Sequence, residues 1–312
     1  MKPKVIITAF AHSSLASGLE QRGYTVDVVE KISYTELSNV IGQYEGMIVS
    51  TRINIDKGMI DRAGSLKWIG RLGSGMEIID VAHALSKNIV CMSSPEGNCA
   101  AVGEHCLGIL LSLMHNIGNA SNQVREGKWI REANRGIELG GKTVGIIGLG
   151  HTGSSFAHLL SGFGVRVLAH DKYRTGFGAG HVVEATLEEV VKCADVISFH
   201  LPLNEETHHY ANDLFFSRLE KKPYFLNVSR GGVVDTDALI RALDQDLVAA
   251  AGLDVLENEE LTKYSSVEKD RFQDLVMRSN VIITPHIAGS SQEALVKMAD
   301  HLLRKLDLLR HA

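Results

Sequence analysis

The sequence predicts an α/β protein built from two doubly wound parallel-sheet domains, and three observations carry the prediction. Short apolar runs alternate with helix-periodic segments along nearly the whole chain. The runs are almost continuous in Val, Ile, Leu and Met, as strands covered on both faces are. The alternation pauses once, at a long helical stretch followed by a polar connector, and then begins again.

Lys4–Thr8 reads as a strand, His12–Arg22 as a helix and Thr25–Val29 as the next strand. Strand-like Gly46–Thr51, Leu66–Arg71 and Asn88–Ser93 continue the series, and crossovers between such strands are right-handed and give a parallel sheet. A helix rich in Leu, Ile and Met is expected over Asn98–Gln123, before a connector that runs from Gly127 through Trp129 to Gly141. A second series follows with Thr143–Ile147, Val165–His170, Val196–His200, Tyr224–Val228, Ala249–Val255 and Val281–Thr284. A helix is expected at Ser154–Leu160, and Thr186 with Glu189 forms a capping box that opens another. Leu295, Met298, Leu302, Leu306 and Leu309 recur at helical spacing in a final helix over Ser290–Leu309.

Bulk properties narrow the class. With 312 residues, each of two domains can bury its own core. A composition of 45% hydrophobic and 22% charged residues is that of a globular protein. A formal net charge of -5 supplies no broad field for phosphates, which argues against a nucleic-acid partner. No membrane span is expected, because no apolar run approaches the roughly 18–20 residues one requires. The N-terminus enters a strand-like run without a signal-peptide pattern, and a cytoplasmic protein is expected. Cys91, Cys99, Cys106 and Cys193 show no metal-ligand spacing, so they read as reduced thiols and no metal is expected.

Gly148-Leu149-Gly150-His151-Thr152-Gly153 follows the apolar run Val144–Ile147 and precedes an apolar-faced helix. In that context the glycines have separate tasks: Gly148 makes the tight turn, Gly150 lets a pyrophosphate approach, and Gly153 lets helix and strand pack closely. A diphosphate would meet free amides, those of His151 and Thr152 among them, and the positive end of the helix dipole. Asp171 ends the next strand, eighteen residues after Gly153, where a carboxylate binds a ribose hydroxyl and favours NAD. Arg174 lies nearby and leaves NADP open.

Three segments close later strands: Asn227–Gly232, Gly252–Glu259 and Thr284–Ser290. In an open parallel sheet, ligands bind beyond the carboxyl ends of strands, so Arg230, an acidic side chain and His286 are expected to converge there. Together with Asn98–His105, Trp129 and His200-Leu201-Pro202-Leu203, these segments make the chain resemble the D-isomer-specific 2-hydroxyacid dehydrogenase family over nearly its whole length. The resemblance implies that Arg230 binds the substrate carboxylate and 2-oxygen, His286 is the acid/base, and Glu259 is its partner, with Glu257 as a rival. It also implies that Val228, Ser229, Asp254 and Gly289 line the nicotinamide side, and that His200, Leu201 and Pro202 flank the adenosine. Ser74 and Gly75, in Arg71–Met76, resemble the substrate loop; Arg52 would read a distal charge or be an ordinary exposed arginine. Glu260 departs from the family, which often has proline there.

Elementary chemistry supports those roles. Oxidation of a 2-hydroxy acid needs a base for the hydroxyl proton, which neutral imidazole supplies and imidazolium returns. A carboxylate partner favours imidazolium. Guanidinium matches a carboxylate bidentately.

The resemblance further implies a Rossmann domain of residues 98–286 inserted into a flavodoxin-like substrate domain of residues 1–97 and 287–312. Crossings near Asn98 and His286 would form a hinge that closes over substrate. A homodimer is the family expectation. Candidate substrates are 3-phosphoglycerate and glyoxylate or hydroxypyruvate, and an NAD-sensing corepressor or scaffold on the same fold is the alternative to an enzyme.

Overall fold

The computed structural model describes Lys2–His311 and divides into two compact units, Met1–Cys99 with Gly289–Ala312, and Ala100–Ala288. In chain order the elements begin β1 (Lys4–Ile7), α1 (Ser13–Gln21), β2 (Thr25–Val28), α2 (Tyr34–Val40), β3 (Gly46–Val49) and α3 (Lys57–Arg62). They continue with β4 (Trp68–Arg71), α4 (Val81–Ser86), β5 (Val90–Ser93), α5 (Pro95–Met114) and α6 (Ile117–Arg125). The second series is β6 (Thr143–Ile147), α7 (His151–Leu159), β7 (Arg166–His170), β8 (Val182–Glu184), α8 (Leu187–Cys193) and β9 (Val196–Phe199). It ends with α9 (Asp213–Ser217), β10 (Tyr224–Asn227), α10 (Thr236–Asp244), β11 (Ala250–Leu253), α11 (Ser266–Val276), β12 (Val281–Ile283) and α12 (Gln292–His311).

The first unit holds a parallel sheet ordered β2-β1-β3-β4-β5. One face packs Val5, Ile7, Ile48 and Trp68 against α1 and the returning α12, through Leu15, Leu19, Leu302 and Leu306. The other packs Ile6, Met47, Val49 and Ile69 against Leu37 of α2, Met59 of α3 and Ala84 of α4. Arg22, which caps α1, holds α12 through Asp307 at 2.6 Å and 2.5 Å. Burial on both faces is why these strands read as continuous apolar runs.

The second unit holds a parallel sheet ordered β12-β11-β10-β9-β6-β7-β8. The order reverses at β6, whose chain successor β7 lies on one side and β9 on the other. The crevice beyond the carboxyl ends of β6 and β9 is therefore a topological switch point, where open α/β sheets bind ligands. One face is covered by α5 and α7, through Cys106, Ile109, Leu110, Phe156 and Ala157. The opposite face carries an aromatic cluster in which Phe199 meets Phe215 and Phe225 edge-on, with centroids 5.3 Å and 5.1 Å apart.

Four expectations need correction. The helix expected over Asn98–Gln123 is two helices, because Asn116 takes a left-handed φ of 54° between α5 and α6. The helix expected from Ser154 begins at His151, so Gly153 lies inside its first turn. The edge strand β8, three residues long, was not expected at all. Finally, α5 is long and apolar enough by length and composition to cross a membrane, although no such run was expected. Its apolar residues Val102, Cys106, Ile109, Leu110 and Leu113 are buried in the second unit's core, the behaviour of a core helix.

Candidate active site

The glycine turn is built where β6 meets α7. Gly148 has φ 93°, and a Cβ there would lie 2.5 Å from the His200 carbonyl oxygen. A Cβ on Gly153 would lie 2.1 Å from the Gly148 carbonyl oxygen, so only glycine allows the helix to start this close to the strand. Gly150 is the N-cap of α7 and makes no side-chain cap bond, and the space its Cβ would occupy is open. His151 and Thr152 follow in the first turn, their amides at the positive end of the helix. The Asp171 carboxylate accepts from the Leu149 amide at 2.8 Å and from the Tyr173 and Arg174 amides at 3.0 Å and 3.1 Å. It staples the glycine turn to the end of β7, and Arg174 also bonds the Leu149 carbonyl oxygen. Open glycine, uncapped amides and a carboxylate at the second strand end fit a dinucleotide.

His200 sits apart from that surface. Its ring is buried beside Phe156, with Nε2 2.9 Å from Ser198 Oγ and Nδ1 3.2 Å from Thr152 Oγ1. Burial pushes its pKa down to about 3, so the imidazole is neutral. Its side chain reaches the cradle only through Thr152. Leu201 is half-buried and Pro202 exposed in the loop that follows, where Thr207 donates to the Pro202 carbonyl at 2.6 Å.

Beyond β10, the buried Asn227 shapes the next turn. Its Oδ1 accepts from Ser229 N at 3.1 Å and Ser229 Oγ at 2.8 Å, and its Nδ2 donates to the Arg230 carbonyl at 3.0 Å. Val228 is buried, while Arg230 is half-buried with Nη1 donating to the Ser229 carbonyl at 2.7 Å.

Beyond β11 and β12, His286 Nδ1 lies 2.9 Å from Glu259 Oε2, and both side chains keep 43% and 44% exposure. A carboxylate only accepts, so Nδ1–H donates and Nε2 is left for proton exchange. The hydrogen bond to Glu259 is the main force holding the His286 pKa above 6.5; burial opposes it, and Asp254 adds a smaller upward push against Arg230. Glu257 is engaged elsewhere, with His209 at 2.6 Å and Thr236 N at 2.9 Å. The pair opens on a cavity of about 370 Å³ that Asp254, Thr284 and Phe272 also line.

His286 has φ 54°, in the left-handed region that an L-residue adopts at a cost. Its amide bonds the carbonyls of Asp254 at 2.8 Å and Thr284 at 2.9 Å. Asp254, 1% exposed, accepts from Ile287 N at 2.9 Å, Ala288 N at 2.8 Å and Thr284 Oγ1 at 2.6 Å. His105 Nε2 lies 2.9 Å from the same Thr284 hydroxyl. Both Asp254 oxygens thus hold the loop that carries His286. Asn227, Thr284 and His105 have no place among the candidate site residues read from the sequence; their positions at strand ends were the available signal.

In the first unit, the Ser94 hydroxyl accepts from Gly73 N at 3.0 Å and donates to the Arg71 carbonyl at 3.2 Å, shaping the loop before Ser74 and Gly75. Ser74 Oγ donates to Asn98 Oδ1 at 3.3 Å, and Gly289 also packs on the Asn98 amide. Arg52 is exposed and donates to the Thr8 carbonyl at 3.0 Å. Among the described residues, no group of His, Cys, Asp and Glu could hold a metal ion.

The model of the D-isomer specific 2-hydroxyacid dehydrogenase NAD-binding domain matches residues 107–288. The chain is 32% identical over 296 residues to D-3-phosphoglycerate dehydrogenase 2, chloroplastic, of Arabidopsis thaliana, covering 94% of this chain and 46% of that protein. It is 33% identical over 293 residues to D-3-phosphoglycerate dehydrogenase of Archaeoglobus fulgidus, covering 93% and 54%. The chain therefore spans about half the length of these curated relatives. Among solved structures, D-lactate dehydrogenase from Aquifex aeolicus, complexed with NAD and lactic acid, superposes with a TM-score of 0.83 at 26% identity, over 98% of this chain and 95% of that one. The chain belongs to the D-isomer-specific 2-hydroxyacid dehydrogenase family, and its second unit contains that family's NAD-binding domain.

Proposed function

We propose that the chain is an NAD-dependent D-2-hydroxyacid dehydrogenase that interconverts a small 2-hydroxy acid and its 2-keto acid. The observation that carries this reading is the 2.9 Å pair of Glu259 and His286 on the carboxyl edge of the sheet that also bears the glycine cradle and Arg230. When bound, NAD supplies the hydride acceptor, and NADH the donor. His286 Nε2 takes the hydroxyl proton in oxidation and returns it in reduction, while Glu259 orients the ring and favours imidazolium. In the second unit Arg230 holds the carboxylate and 2-oxygen; in the first unit Ser74 and Gly75 are the residues we assign to substrate. Gly148–Gly153 and Asp171 hold the dinucleotide, with Leu201 and Pro202 beside the adenosine and Val228, Ser229, Asp254 and Gly289 towards the nicotinamide.

3-Phosphoglycerate heads the substrate candidates, supported by the names of the curated relatives, ahead of glyoxylate or hydroxypyruvate. Arg52 is the residue we assign to a distal phosphate. The first unit serves the substrate, and a reducing cytoplasm suits four free thiols. A homodimer would cover the exposed connector residues Trp129, Ile130 and Ile137.

The test follows NADH absorbance with a panel of 2-keto acids, and NAD reduction with 3-phosphoglycerate, each repeated with the phosphorylated cofactor. Turnover of at least one 2-hydroxy or 2-keto acid is expected. Tight NADH binding with no turnover of any substrate would overturn the reading in favour of a sensing role.

A further inference from the structure

We propose that Asn258, Tyr264 and Glu268 are positioning residues that fix the backbone on both sides of Glu259 and so hold its carboxylate against His286. The inference rests on the reading of Glu259 and His286 as the proton-transfer pair. It concerns how a half-exposed loop keeps a carboxylate in register with its histidine.

Both peptide groups that flank Glu259 are pinned. The carbonyl of Asn258, which leads into Glu259, accepts the Tyr264 hydroxyl at 2.5 Å. The amide of Glu260, which leads out of it, donates to Asn258 Oδ1 at 2.9 Å. Asn258 is itself held by its Nδ2, which donates to Glu268 Oε1 at 2.7 Å. Glu268 cannot swing away, because its Oε2 closes the capping box of α11 with Ser265 N at 2.8 Å and Ser265 Oγ at 2.7 Å. Tyr264 is steadied by an edge contact with Phe272 of the same helix, centroids 5.9 Å apart. The chain of contacts thus runs from the first turn of α11, through Asn258, to the peptides on either side of Glu259.

The arrangement also accounts for Glu260. Proline there would stiffen the loop but has no N–H, so it could not make the bond to Asn258. This chain obtains its stiffness from side-chain hydrogen bonds instead. The Ser265 hydroxyl, then the Asn258 amide, hold Glu268 down to about 2, so the scaffold stays ionised while His286 titrates. Within the second unit, the charged groups that face His286 are Glu259 from the loop, Asp254 from the end of β11 and Arg230 from the end of β10. Among the described residues, the hydrogen bonds of Asn258, Tyr264 and Glu268 lead to the peptides beside Glu259 and not to the His286 ring, so they act through Glu259.

The experiment follows the imidazole of His286 by NMR across pH in the full chain, identified by its loss in His286→Asn, together with kcat and melting temperature. Tyr264→Phe removes one hydroxyl, Asn258→Ala removes the central amide, and Glu260→Pro removes the N–H. Each is expected to lower the His286 midpoint towards the ordinary histidine value and reduce kcat about tenfold, short of the ~hundredfold that a ~1 Å misplacement can cost. Asn258→Ala combined with Glu260→Pro should be no worse than Asn258→Ala alone, since the bond that Glu260→Pro removes is one of the two that Asn258→Ala already breaks. An unmoved midpoint in Tyr264→Phe and Asn258→Ala, with or without a loss of kcat, overturns the proposal provided that Glu259→Gln does move it. If Glu259→Gln also leaves the midpoint unmoved, the pairing itself is wrong and the proposal falls with it.

Discussion

Asp254→Asn tests whether a buried carboxylate holds the catalytic loop. The native side chain receives Thr284 Oγ1 at 2.6 Å and Ile287 N at 2.9 Å on one oxygen, and Ala288 N at 2.8 Å on the other. An asparagine keeps only one acceptor. In its better orientation it keeps Thr284 and Ile287 and turns its own NH2 towards the amide of Ala288, a residue 4% exposed. The Ala288 N–H left without an acceptor costs about 1–3 kcal/mol by itself, before the NH2 that faces it is counted. For a domain of this size, each kcal/mol moves the melting temperature by ~2–4 °C, so a fall of roughly 2–12 °C is expected. Turnover should fall as well, because the loop must hold His286 at φ 54°, a conformation that costs an L-residue ~1–2 kcal/mol. Circular dichroism melts and the NADH absorbance assay measure the two effects. A melting temperature within a degree of wild type, with unchanged turnover, would refute the reasoning.

His286→Asn should lose about 10²–10⁴ of turnover while keeping NADH affinity, by fluorescence titration, and, at a pH above the raised His286 pKa where the Glu259 contact no longer contributes, its melting temperature, since asparagine tolerates left-handed backbone; near-native turnover would remove the histidine from the mechanism. Because Glu259 raises the His286 pKa, their contact stabilises the fold fully below the ordinary histidine value and is lost as pH climbs through the raised one. The melting difference between wild type and Glu259→Gln should therefore be larger at acidic pH and shrink on the alkaline side; a difference that grows with pH contradicts the pairing. Asp171→Ala should reduce the preference for NAD over its 2′-phosphorylated form roughly 10–100-fold, from a lost charged hydrogen bond worth ~1.5–3 kcal/mol; an unchanged ratio of kcat/KM values places selectivity elsewhere. Gly153→Ala, whose Cβ would lie 2.1 Å from the Gly148 carbonyl oxygen, should lose ~1–3 kcal/mol of stability, whereas Gly150→Ala should melt normally and weaken NADH binding, since its Cβ enters open space. Equal melting temperatures for the two variants would contradict the packing assigned to Gly153.

The parallel sheets were legible because burial on both faces leaves continuous apolar runs, and the cradle because three glycines stood between a strand and a helix. The choice between Glu257 and Glu259 was less accessible. Residues two positions apart offer the same charge, and what separates them is His209, which takes Glu257 from 48 positions away. His105 was visible only as part of a resemblance, since its partner Thr284 lies 179 positions along the chain. The break at Asn116 had a local cause, a residue that tolerates left-handed backbone, but the apolar periodicity around it outweighed that cue. In β8, three residues at the sheet edge give too short a run to show a period.

The polar residues on the carboxyl edge of the second sheet divide by what they bond. Asn227, Asp254 and Asp171 direct their oxygens at amides of the loops around them: Ser229 N, then Ile287 N and Ala288 N, then Leu149 N, Tyr173 N and Arg174 N. Such acceptors let a chain turn sharply after a buried strand without leaving its amides unsatisfied. Glu259 and His286 instead hold each other and remain more than two-fifths exposed. The two groups should fail differently: loss of a loop-binding acceptor lowers stability and turnover together, whereas on the alkaline side of the His286 pKa His286→Asn lowers turnover alone. That separation gives a physical reason for the sequence motif. Asp254 fixes the backbone that carries His286, Asn227 the turn that carries Arg230, and Asp171 the glycine turn.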